Sequence, residues 1–151
     1  MTATSTGSRT AVFPGSFNPF TIGHADIVER GLKMFDKIVI AVGCNINKPR
    51  GDAEAAAEAI RRIYRGRPEI EVVVYSSLTV RLAEEVGAGF ILRGVRTVKD
   101  FEYERELASV NMQLSGIESV ILFSRPELAA LSSSMVRELA AYGEDVTPFL
   151  P

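Results

Sequence analysis

Residues Ala11–Leu32 read AVFPGSFNPFTIGHADIVERGL, an apolar run, a stiff turn and an amphipathic segment in immediate succession. The run predicts a strand over Thr10–Phe13, and Ile27, Val28, Leu32 and Phe35 share one face of a following helix. Between them, PGSFNPFTIGH holds two prolines and two glycines, which stiffen the turn and let backbone approach a ligand closely. Ser16 and Thr21 supply hydroxyls there. His24, the only histidine of the chain, falls in the first helical turn, where free backbone N–H groups and the helix dipole favour an anion. The spacing is not that of a Walker A loop, and no G-x-G-x-x-G follows the strand. A lone histidine is by default an incidental surface residue, so the other strand ends must decide.

Further apolar, β-branched runs lie at Lys37–Val42, Glu71–Tyr75, Gly89–Leu92 and Ser119–Phe123, separated by segments of helical spacing. Five strands alternating with helices predict an α/β domain: a five-stranded, mainly parallel sheet flanked by helices and joined by right-handed crossovers. Ligands of such sheets bind at the carboxyl ends of the strands. Residues 1–9, MTATSTGSR, read as a flexible terminus, and residues 10–151 as one domain. With 46% hydrophobic and 24% charged residues and a net charge of −2, the composition argues against general nucleic-acid binding. The lone Cys44 suits a reducing compartment and reads as a small apolar residue rather than a nucleophile. No apolar run reaches the roughly 20 residues that a bilayer span needs. A cytoplasmic location is therefore expected, with neither membrane nor nucleic acid as partner.

The residues after the strands share a chemistry. Lys48 follows the second strand in GCNINKPRGD. Arg93 and Arg96 flank a glycine after the fourth, where two guanidiniums suit bidentate grips on phosphate oxygens. Three serines, Ser132, Ser133 and Ser134, open the last helix, where an N-cap also offers hydroxyls and backbone N–H groups to a polyphosphate. Four of the five strand ends thus carry phosphate-compatible groups.

These residues match a family. Thr21-x-Gly23-His24 resembles the T/H-x-G-H signature of the nucleotidyltransferase superfamily, and SSSMVRE (Ser132–Glu138) resembles its second, Ser/Thr-rich helix start. PGSFNPFTIGH, RGVRTVKDFEYE (Arg93–Glu104), LASVNMQL and the closing GEDVTPFLP closely resemble the bacterial phosphopantetheine adenylyltransferase family within it. The resemblance runs from about Thr10 to the final residue. It implies a Rossmann-like nucleotidyltransferase fold, a homohexamer, and magnesium-dependent transfer of the adenylyl group of ATP to 4′-phosphopantetheine, giving dephospho-coenzyme A and pyrophosphate. By the same resemblance His24 contacts the α-phosphate, Ser16 lies between nucleophile and α-phosphate, and Lys48 and Arg93 orient the phosphate of phosphopantetheine. Phe17, Gly94, Val95, Arg96 and Glu104 correspond to ATP-contacting positions. Leu128, Ala129, Ala130, Leu131 and the three serines correspond to the loop cradling the β- and γ-phosphates. Leu78, Thr79 and Asn111 fall where the family holds the pantetheine arm.

Two departures stand out. PRGDAEAAAEAI, with its alanine run from Ala53 to Ala59, replaces an aromatic and an acidic–basic pair, and ELAAL before the serines lacks an aromatic. Another nucleotidyltransferase, such as a nicotinate or nicotinamide mononucleotide adenylyltransferase, would share the two signatures but not DFEYE after R-G-x-R. A non-catalytic nucleotide-sensing module would also keep the fold.

Overall fold

The computed structural model describes residues 9–47 and 49–151. Lys48, and all of the expected flexible terminus except Arg9, lie outside the described residues. Strands β1 (Thr10–Gly15), β2 (Lys37–Gly43), β3 (Ile70–Tyr75), β4 (Phe90–Val95) and β5 (Glu118–Phe123) alternate with five helices. These are α1 (Ile22–Gly31), α2 (Arg50–Ile63), α3 (Thr79–Glu85), α4 (Val98–Ser115) and α5 (Ser133–Ala141). The sheet order is β3-β2-β1-β4-β5, and every pairing among the described strands is parallel. The expected strands are all present, with one consequential difference: β1 runs on through Pro14 and Gly15, and β4 through Arg93 to Val95. Arg93 therefore projects from a strand, not from the loop after it.

Chain order reverses between β1 and β4, so helices fall on both faces of the sheet. On one face Phe13, Ile38, Ile40 and Leu92 pack with Ile27 and Val28 of α1 and with Ala53, Ala57 and Ile60 of α2. On the other, Val12, Val39 and Ile91 pack with Val80, Leu82 and Ala83 of α3. Ala53, Ala57 and Ile60 recur at helical spacing, so the alanine run forms an ordinary helix whose small inward face lies close on the sheet. Gly31 does the same for α1: a Cβ there would lie 2.7 Å from Leu92 Cδ2 and 2.9 Å from Ile38 Cδ1. Cys44 is half-buried against the first core, as an apolar residue would be. Among the described residues no helix is long and apolar enough to cross a membrane.

Reversal of the strand order leaves the carboxyl ends of β1 and β4 side by side without a crossover above them. Two cavities open there.

Candidate active site

The first cavity, about 370 Å³, lies under the N-termini of α1 and α5. Thr21 caps α1 reciprocally: its Oγ1 accepts from the backbone N–H of His24 at 3.4 Å, and its own backbone N–H donates to His24 Nδ1 at 2.9 Å. A Glu or Gln ordinarily fills that third helical position. Here an imidazole does, and accepting at Nδ1 leaves the proton of the neutral ring on Nε2. The ring stacks on Phe20, with centroids 5.4 Å apart, and meets the edge of Phe17 at 5.0 Å. Burial among these aromatics, and then the nearby Arg96 and Arg93 charges, push its pKa down to about 4. His24 is thus a neutral donor at physiological pH.

Phe17 reaches this position at some backbone cost. Its φ of 48° is a left-handed conformation that bulky residues rarely adopt. Its ring then fills the space beside Gly15, where a Cβ would lie 2.8 Å from Phe17 Cζ. Thr21, buried and on the wall of the cavity, accepts the His24 N–H with its hydroxyl as the cap.

The N-terminus of α5 has a division of labour among its serines. Ser132 Oγ accepts from the Met135 N–H at 3.1 Å, and Ser134 Oγ accepts from Arg137 Nη2 at 3.1 Å, so both hydroxyl protons stay free to donate. Ser133 gives its proton to the Pro19 carbonyl at 2.8 Å, tying α5 to the β1–α1 loop. The backbone N–H groups of Ser133 and Ser134, first in the helix, have no intrahelical acceptor and aid anion binding. Ser16, Gly94, Arg96, Leu128 and Leu131 complete the walls.

The second cavity, about 240 Å³, is more apolar, with Leu78, Thr79, Leu107 and Asn111 among its lining residues. Tyr75 and Thr79 join their hydroxyls at 2.9 Å on its wall. Pro14, Gly15 and Arg93 line both cavities, which makes the end of β1 and the Arg93 side chain their common boundary.

Several expected residues stand elsewhere. The guanidinium fork of Arg93, expected to grip phosphate, is held by Glu104: Nε donates to Oε2 at 2.8 Å and Nη2 to Oε1 at 2.5 Å, while Nη1 donates to the Pro14 carbonyl at 2.8 Å. Glu104, expected at the nucleotide, is buried on the second cavity because that carboxylate needs the arginine as its partner. Val95 is buried and lines neither cavity. Ala129 and Ala130 are turned away by the turn that points Leu128 and Leu131 inward, although the Ala129 carbonyl accepts from Arg96 Nη1 at 3.4 Å. Arg137, outside the expected site residues, lines the first cavity and donates to the Asn18 carbonyl. Its signal was available in SSSMVRE, since positions 134 and 137 are neighbours on a helix.

The chain's similarities agree with this arrangement. The sequence model of the cytidylyltransferase-like family matches residues 12–139. A phosphopantetheine adenylyltransferase of Bacteroides thetaiotaomicron is 49% identical over 144 residues, covering 95% of this chain and 95% of that protein. One of Porphyromonas gingivalis is 51% identical over 142 residues, covering 93% of each. In fold, the chain resembles a bifunctional NMN adenylyltransferase/ADP ribose pyrophosphatase of Francisella tularensis, with a TM-score of 0.68 at 12% identity over 95% of this chain and 44% of that one.

Proposed function

The chain belongs to the cytidylyltransferase-like family and, within it, to the phosphopantetheine adenylyltransferases, and from that premise we propose the reaction its two cavities perform. ATP occupies the first and 4′-phosphopantetheine the second. A phosphate oxygen of phosphopantetheine bonds to the α-phosphorus as the bond to the leaving pyrophosphate breaks. The product is dephospho-coenzyme A, and the reaction is reversible. The observation that carries this reading is the shared boundary at Pro14, Gly15 and Arg93, which brings a polyphosphate pocket and an apolar arm pocket to one point.

The nucleophile is already ionised at neutral pH, so no strong base is required. What the protein supplies is alignment of two polyanions and neutralisation of the charge that grows on the α-phosphate and pyrophosphate. His24 donates Nε2–H to the α-phosphate without carrying a charge. The free hydroxyls of Ser132 and Ser134 and the α5 N-terminus receive the β- and γ-phosphates. Arg93, held by Glu104 and the Pro14 carbonyl, places a fixed positive charge between the substrates. Ser16 and Arg96 line the nucleotide cleft. Lys48, by resemblance, orients the phosphate of phosphopantetheine.

Among the described residues no cluster of three His, Cys, Asp or Glu is placed to hold a metal ion. Magnesium enters in this reading with the ATP phosphates, as part of the substrate, the usual way this ion is held where phosphates supply most of its oxygens. A homohexamer is what the resemblance implies, and self-association is supported by α4, which exposes Val98, Val110, Met112 and Leu114 and buries only Glu104. A cytoplasmic setting fits an enzyme of these substrates.

Chromatographic assay of products from ATP with either phosphopantetheine or nicotinamide mononucleotide tests the reading. Dephospho-coenzyme A and pyrophosphate are expected from the first pair. Turnover with the mononucleotide alone would overturn it.

A further inference from the structure

Two residues beyond His24, Asp26 holds its carboxylate between the guanidinium of Arg30, one turn along α1, and that of Arg125, 99 positions away. Its Oδ2 accepts from Arg30 Nη1 at 3.1 Å, and its Oδ1 accepts from Arg125 Nε at 2.8 Å. The same Nη1 of Arg30 gives its other hydrogen to the Phe123 carbonyl at 2.8 Å. The Asp26 side chain is 16% exposed, whereas that of Arg125 is 50% exposed.

Phe123 ends β5, and Arg125 is the second residue of the connection to α5. That connection brings Ser124, Leu128, Leu131 and Ser132 to the first cavity. Beyond the sheet it contains one short 3-10 turn, Pro126–Leu128, with no buried residue. Among the described residues its polar ties to the rest of the molecule are few: the Ser124 N–H to the Val95 carbonyl at 2.9 Å, a long contact from Arg96 to Ala129, and the Asp26 cluster. A loop so sparsely packed is ordered by its polar ties or not at all. Any ordering left undone in the free protein is charged against ligand binding.

We propose that Asp26 and Arg125 form a latch registering the β5–α5 connection against α1. Because His24 and Asp26 share α1, the latch, beside the Ser133–Pro19 and Arg137–Asn18 ties, holds the segment leading into the serine cradle at a fixed separation from the α-phosphate donor. It acts on the triphosphate and not on the pantetheine arm, whose cavity neither residue lines. Both are positioning residues, since neither lines the nucleotide cavity. The proposal rests on the reading of the first cavity as the ATP site.

The test uses Asp26→Asn, Arg125→Ala and the double variant of the full chain. Arg125→Ala removes only an exposed side chain, so folding is not at stake. Hydrogen exchange in the ligand-free protein reads the latch directly, and calorimetry with ATP and with phosphopantetheine reads its consequence. Amides of the 124–131 segment should exchange faster in all three variants. The Kd for ATP should rise about three- to fivefold in each single variant, the range of an exposed ion pair. The double variant should be no worse, because both substitutions break one tie, and the Kd for phosphopantetheine should stay as in the parent. Unchanged exchange would overturn the latch. Faster exchange with equal losses for both substrates, or additive losses in the double variant, would overturn its role in positioning the triphosphate. Faster exchange in a protein whose parent form binds no ATP would instead overturn the reading of the cavity.

Discussion

The backbone N–H of Thr21 donates to His24 Nδ1 across 2.9 Å, which fixes where the imidazole keeps its single proton. A helix cap thereby sets the chemistry of the site. The N–H cannot be removed by substituting the Thr21 side chain, so the tautomer is built into the backbone of the β1–α1 turn.

Nuclear magnetic resonance can observe this without ambiguity, because the chain has one histidine. The ring should titrate near pH 4, not 6.5, and its nitrogen shifts should report the Nε2–H tautomer at pH 7. A midpoint near 6.5, or an Nδ1–H tautomer, would contradict the geometry.

The same shift dictates a direction for stability. The pKa is lower folded than unfolded, so between about pH 6.5 and 4 the unfolded chain binds a proton that the native state refuses. The contribution of neutral His24 is complete above 6.5, falls as pH drops, and levels off below 4, a loss of about 3 kcal/mol in all. Denaturant unfolding at pH 7 and pH 5 should show part of this loss in the parent protein and less in His24→Gln. Identical pH dependence in the two proteins would refute the assignment.

Glu104→Gln should loosen Arg93 without emptying the space. Losing a charge-assisted pair of this kind costs about 2 kcal/mol of stability. A boundary residue out of place by an ångström should lower kcat/KM by about 10²-fold. The loss should appear whichever substrate is varied, because Arg93 touches both cavities. A defect confined to ATP would restore the expectation that Glu104 serves the nucleotide directly.

Tyr64 offers an opposite case. Its hydroxyl is buried with no hydrogen-bond partner among the described residues, and burial pushes its pKa upward. Tyr64→Phe removes an unsatisfied polar atom and should stabilise the fold by about 1 kcal/mol, raising Tm by about 3 °C. A lower Tm would mean that the hydroxyl is satisfied after all.

Much of this was legible in the sequence because it rests on local pattern. The strands announced themselves by β-branched runs, and the α1 and α5 N-termini by Thr21 and Ser132 before helical periodicity. What escaped reading depends on partners far apart in the chain. Arg93 meets the Pro14 carbonyl, 79 positions away, and this contact, with Glu104, turns an expected phosphate fork into a fixed boundary charge. Arg137 meets the Asn18 carbonyl, 119 positions away. The tautomer of His24 was equally hidden, since a histidine in the place of a capping Glu is visible as a residue but not as a geometry.

The most direct test measures kcat of His24→Ala with both substrates saturating. A donor that acts on charge developing at the α-phosphate predicts a fall of about 10²–10³-fold, with the KM for ATP moving far less. An unchanged kcat would contradict the role given to His24 and, with it, the reading of this cleft as the place of adenylyl transfer.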